Sequence, residues 1–293
     1  MKRQPILVGL LILGVILIVF IGSIVLISYL FRREPPPLAF GDKIGVVEIM
    51  GVITDPRETI HWIKTFREDK GIKAIVLRID SPGGSVGASQ EIYREVMKTR
   101  KFKKVVASMG NVAASGGYYI ASAAHKIVAN PGTITGSIGV VMQFTNVEEL
   151  LRKIGLRGYV IKSAPHKDIG SPFREMTKQE KALLQEVIDN VHQQFVKAVA
   201  EGRGLPLKKV EEIADGRIFS GEQALELGLV DRLGSFEDAV SWAAELAGIK
   251  GKPHLVYGRK RYRVLDYLIE GAVRICKREI LERFPQLAYL WVP

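Results

Sequence analysis

From Ile6 to Phe31 the chain carries no charged residue (ILVGLLILGVILIVFIGSIVLISYLF). This run constrains the chain more than any other feature, because it exceeds the roughly 20 residues that a membrane-spanning helix requires. A cleavable signal peptide is the competing reading. Its apolar core is usually about 7–15 residues long and ends in small residues, whereas Tyr29, Leu30 and Phe31 close this run. An uncleaved anchor over 6–31 is therefore expected, behind a short flank at 1–5. Lys2 and Arg3 face Arg32, Arg33 and Glu34 across it. The positive-inside rule then places the N-terminus inside and the bulk of the chain outside, as a single-pass protein of the cell membrane with an extracytoplasmic domain. Residues 32–42, with "EPPPLAF", read as a stiff proline-rich spacer.

Beyond the spacer, apolar strand-like runs alternate with helical spacing. "KIGVVEIMGVI" and "IKAIVLRID" read as strands, and "ETIHWIKTFRED" and "GASQEIYREVMKTR" as helices. "KKVVASMG" and "HKIVANPG" are strands on either side of a short helix in "SGGYYIASAA". "NVEELLRKIG" with "YVIKS" repeats the helix–strand pattern, and a long helix follows over 178–202. Such alternation predicts an α/β domain over 43–257 with a parallel or mixed sheet. Residues 258–293 change character: Leu265, Leu268, Ile269, Ala272, Val273 and Ile275 keep helical spacing among charges. This basic amphipathic segment has three readings: on a membrane, against a partner subunit, or packed on its own domain.

The formal charge of +11 raises the question of nucleic acid. Part of the excess lies beside the anchor and in "YGRKRYR" (257–263), which points to anionic lipid and away from nucleic acid. A solvated basic surface with no partner is the plain alternative. The single cysteine, Cys276, forms no intrachain disulfide. His61, His125, His166, His192 and His254 lack the spacing of a metal site, so neither a metal nor another cofactor is expected.

Glycine-rich turns at strand ends remain. "DSPGGS" (80–85) ends one strand and precedes a helix, where open α/β sheets bind ligands. Its glycines permit close approach of a substrate to free N–H groups; a plain tight turn is the other reading. "AASGG" (113–117) is a degenerate nucleophile elbow, with Ala113 where G-x-S-x-G has its first glycine. Ser115 there reads either as a helix cap or as a nucleophile. A serine nucleophile needs a base, and lysine serves when burial brings its pKa from about 10.4 towards neutrality. Lys167 stands out because it lies in the proline- and glycine-punctuated "SAPHKDIGSPF" (163–173). Ser137, in "GTITGSIGV" (132–140), offers a hydroxyl to orient it.

The segments "RIDSPGGSV", "SMGNVAASGGYYIASAAHKIVANPGTITGSIGV", "HKDIGSPFREMT" and "DGRIFSGEQALELGLVD" together resemble the signal peptide peptidases of the Ser–Lys dyad type. The resemblance runs from about Lys43 to Gly248. It implies a Clp/crotonase-like fold of repeated ββα units and a serine endopeptidase activity on hydrophobic peptides such as cleaved signal peptides. It also implies Ser115 as nucleophile, Lys167 as general base and Ser137 as the residue orienting the lysine. The backbone N–H groups of Gly84 and Gly116 would form the oxyanion hole, and the chains would assemble into a homo-oligomeric ring or dome. Three other readings stay in view: a related peptidase cutting an integral membrane partner, a crotonase-like acyl-CoA enzyme, and a non-catalytic scaffold holding apolar peptides.

Overall fold

β-branched runs build the centre of the fold. The computed structural model describes residues 4–31 and 41–258, and the residues up to Gly41 and from Asp42 onward form separate compact units. The first holds α1 (Gln4–Phe31), a helix of 28 residues. Among the described residues no helix is long and apolar enough to cross a membrane, the side chains of α1 being described only over 11–26. Most of the expected spacer, and the C-terminal segment beyond Gly258, lie outside the described residues.

The second unit alternates strand and helix: β1 (Lys43–Met50), α2 (Arg57–Glu68), β2 (Ile72–Ser81), α3 (Val86–Thr99), β3 (Lys104–Ala114), α4 (Gly116–Ser122) and β4 (Lys126–Ala129). Then come β5 (Ile134–Gly136), α5 (Glu148–Lys153), α6 (Lys178–Arg203), α7 (Leu207–Ile213) and β6 (Ile218–Ser220). The last elements are α8 (Gly221–Glu226), β7 (Arg232–Leu233), α9 (Phe236–Leu246) and β8 (His254–Tyr257). One sheet runs β6-β5-β3-β2-β1-β8, with β4 beside β3 and β7 beside β4. Every pairing is parallel except β5 with β6. The architecture is a mixed α/β fold around a parallel-rich sheet. "IKAIVLRI" is buried along nearly its whole length in β2, as expected of a parallel strand covered on both faces. One core gathers α2, α3, α4 and α6 on β1–β3, and a smaller one sets α9 against Ile44, Val76 and Val106.

Two features of the sheet position the site. The same edge of β3 pairs first with β4, through Val106–Ser108, and then with β5, through Val112–Ala114. Between Ile79 and Ser81 the β2–β3 register slips, because β3 carries extra residues from Gly110 to Val112. Asp80 stabilises that irregularity by accepting from Asn111 Nδ2 at 2.9 Å and from the Val112 N–H at 3.2 Å. One expectation is corrected: "YVIKS" (159–163) forms no strand. Its alternation suits a sheet edge, but β6 returns from 218–220 to take the free edge of β5, and Tyr159, Val160 and Ile161 stay exposed.

Candidate active site

The end of β3 turns sharply into α4 at Ser115, whose φ of 51° and ψ of −119° suit glycine and strain any other residue. Ser115 holds this conformation because its neighbours over-determine it. Its N–H donates to Gly136 O at 2.9 Å, and α4 behind it is wholly buried, with the Tyr118 hydroxyl donating to Leu229 O at 3.0 Å. Ser115 occupies the N-cap position of α4, yet its side chain makes no capping hydrogen bond. The hydroxyl is thus left free of the role that would have explained it most simply. Among the described residues only Ser115 and Ser137 combine a side chain with positive φ. Ser137, at 49°, follows Gly136 and donates its N–H to Arg217 O at 2.8 Å.

The turn after β2 meets the same point. A Cβ on Gly83 (φ +108°) would lie 2.8 Å from Gly116 N and 2.9 Å from Ser115 Cβ, and one on Gly84 would lie 2.1 Å from Ile53 O. Only bare backbone permits this approach. Ser81 Oγ accepts the Gly83 N–H at 3.1 Å and fixes the turn. Ile53 N–H donates to Gly83 O, and Ser85 N–H to Ile53 O, at 2.9 and 2.8 Å. The N–H groups of Gly84 and Gly116 donate to no described acceptor. Two free donors therefore flank the Ser115 hydroxyl at the first turn of a helix, an arrangement suited to an oxyanion.

Ser115, Ser137 and Gly84 line one cleft of about 420 Å³ together with Val86, Gly139–Val141 and Ala214–Gly216. Its far wall is one face of α6: Gln185, Ile188, Asp189 and His192. A small recess of about 30 Å³ opens beside Ser115 and Gly116 among Val86, Tyr119, Val140, Val191 and Phe195. A larger cavity of about 590 Å³, along β1 and Trp62, contains none of these residues. Near the mouth, Arg217 holds the Asp215 carboxyl down to about 2.

Lys167 is not part of this cleft. It lies exposed on the turn after Pro165, its N–H donating to Ala164 O at 3.2 Å, and among the described residues no lysine lines the space around Ser115. The chain around it is nonetheless ordered by ion pairs. Asp168 accepts from Lys162 at 2.5 Å and from Arg174 at 2.8 Å, and Arg174 continues to Glu180 at 2.5 Å. Arg174 and Lys162 hold the Asp168 carboxyl far below the usual range, and Arg174 with the Thr177 N–H brings Glu180 down to about 2. Sequence reasoning brought together Ser115, Ser137, Gly84 and Gly116, and missed the α6 wall. Its signal was the 185, 188, 189, 192 spacing, which marks one stripe of a helix.

The profile of Peptidase family S49 matches residues 97–250. The chain belongs to peptidase family S49. It is a serine protease, and its likeness to signal peptide peptidases is shown by its relatives. The S49 match takes in Ser115, Gly116, Ser137 and Lys167, while a Clp protease profile matches residues 55–134 and adds Gly84. A candidate protease of Synechocystis sp. is 53% identical over 209 residues, covering 71% of this chain and 75% of that protein. Protease 4 of Salmonella typhi is 38% identical over 269 residues, 87% of this chain but 43% of its own length. Among solved structures, the 1510-N membrane-bound stomatin-specific protease superposes with a TM-score of 0.51 at 19% identity, over 74% of this chain and 97% of its own, a likeness of fold.

Proposed function

We propose that this S49 peptidase is a membrane-anchored endopeptidase that hydrolyses hydrophobic peptides, cleaved signal peptides among them, with Ser115 as nucleophile and Lys167 as general base. The observation that carries the reading is the strained, uncapped Ser115 between the free N–H groups of Gly84 and Gly116. As Ser115 Oγ attacks the peptide carbonyl, Lys167 takes its proton and returns it to the leaving amine. Ser137 orients the lysine, and each oxyanion donor contributes about 3–4 kcal/mol to the transition state. The valines of the cleft and the recess accept apolar side chains. The uncharged run over 6–31 exceeds the roughly 20 residues that a spanning helix requires and supports the anchor, and holding the cleft at the membrane raises the local concentration of membrane-derived peptides.

The exposed Lys167 bears on assembly. The segment that carries it also exposes Phe144, Tyr159, Val160, Ile161 and Phe173, large apolar side chains of the kind that mark an interaction surface where they gather. In our reading the chain works as a homo-oligomer in which another copy covers this surface and the lysine segment is seated beside a cleft. The function is tested by assaying Ser115→Ala and Lys167→Ala in detergent on a signal-peptide-like substrate. Both are expected to fall by at least 10³-fold; full activity in either would remove that residue from the mechanism.

A further inference from the structure

His192 stands where the two parts of the α6 wall meet. On one side Val191 and Phe195 face the apolar recess; on the other Gln185, Ile188 and Asp189 face the main cleft. The polar neighbours are engaged with each other, Gln185 Nε2 donating to Asp189 Oδ1 at 2.7 Å. His192 Nε2 has no such partner. It is shielded from solvent and bonded to nothing, alone in this among the buried side-chain N and O atoms of the described residues. Either tautomer of imidazole makes Nε2 a donor or an acceptor, never an apolar atom. Buried polar atoms in folded proteins are almost always paired, and one left unpaired calls for an explanation.

We infer that His192 Nε2 binds substrate, by a hydrogen bond to a main-chain amide of the peptide lying across Ser115. The inference rests on the reading of this cleft as the proteolytic site. A hydrophobic peptide brings few polar groups into a cleft besides its own amides, and each of these needs a partner once it leaves water. Val86, Val140, Val141 and Ile188 can take its side chains but none of its amides. The oxyanion donors hold only the carbonyl under attack, so a peptide fixed there alone could still pivot about it. A second main-chain contact on the opposite wall removes that freedom, and such fixing lowers the barrier by keeping reacting atoms aligned. A contact to the main chain also admits varied apolar sequences.

The test uses the full chain in detergent, with an apolar peptide substrate, a series in which single amides are replaced by esters, and a small fluorophosphonate that carries no amide. His192→Leu is expected to lower kcat/KM on the peptide roughly 10-fold, as loss of one hydrogen bond would. His192→Gln, which sets an amide near the place of Nε2, is expected to stay within about 3-fold of the wild type. Labelling of Ser115 by the fluorophosphonate should proceed at wild-type rate in both variants. One ester in the series should cost the wild type what it does not cost His192→Leu. If His192→Leu melts too low to assay, His192→Asn, whose amide stops short of the Nε2 position, takes its place. Unchanged kcat/KM in His192→Leu overturns the inference, as does equal loss of peptide cleavage and labelling, or an ester series that costs both enzymes alike. A wild type that is not labelled at Ser115 defeats the proteolytic reading itself; a labelled wild type with an unaffected His192→Leu defeats only the role of His192.

Discussion

Ser115 and Ser137 carry backbone conformations that their residue type disfavours, and two neighbouring turns absorb the cost. Strain of this kind is worth on the order of 1–3 kcal/mol per residue and persists at functional sites. Replacing Ser115 by glycine should relieve it. Ser115→Gly is expected to gain about 1 kcal/mol in stability, read as a raised Tm, while losing cleavage altogether. A lower Tm would mean that the conformation is not strained. Gly83→Ala should do the reverse: its Cβ would lie 2.8 Å from Gly116 N, so the turn bearing the Gly84 donor must shift. With one oxyanion donor misplaced, kcat should fall about 10²-fold, with KM little changed. These positions were legible in sequence as serine and glycine types at strand ends. Their dihedral angles were not, since they arise from Gly136 and Arg217, which reach Ser115 and Ser137 only after the sheet has assembled.

At the scale of elements, the alternation of β1 to β4 with α2 to α4 was readable because each strand is a buried apolar run, α2 and α3 each carry an apolar stripe, and α4 is a short, wholly buried run. In the segment from 139 to 176 the helix in "NVEELLRKIG" was legible and is α5, but the rest was not, because Val141, Phe144, Tyr159, Val160, Ile161 and Phe173 are exposed and carry no core-facing pattern. What orders it is charge. Asp168 and Glu180 both have depressed pKa values, so their ion pairs with Arg174 contribute fully above the ordinary carboxylate range, and that contribution is lost as pH falls through the depressed values. For Glu180 the window runs from 4.5 down to about 2. Amide exchange across residues 162–180 should therefore quicken as pH drops through this window, after correction for intrinsic rates. In Arg174→Ala the same protection should be missing already at pH 7. Equal protection in the variant would show that the ion pairs do not order the segment. Thr177 adds a capping box with Glu180 at the start of α6, and Thr177→Ala should cost about 1 kcal/mol in chemical denaturation.

The whole molecule poses the question of where Lys167 meets Ser115. Within one chain the cleft is lined by Ser115, Gly84 and Ser137, while Lys167 lines neither the cleft nor the recess beside it and is exposed in a segment with several exposed apolar side chains. Two inactive chains test how the copies share the work. If the lysine acts on a neighbour's cleft, mixing Ser115→Ala with Lys167→Ala subunits should restore up to about a quarter of wild-type activity, from the neighbouring pairs that bring an intact serine and an intact lysine together. No recovery after verified subunit exchange would place both groups in one chain. Sequence motifs named the pair but could not show this separation, because motif order along the chain carries no distance.

The account turns on Ser115 being a nucleophile. Treat the full chain in detergent with a fluorophosphonate and locate the adduct by mass spectrometry of its peptides. The account predicts one phosphonylated site, Ser115, with labelling absent in Ser115→Ala and slowed at least 10²-fold in Lys167→Ala. Labelling that persists in Ser115→Ala, or an adduct on another residue, would contradict it.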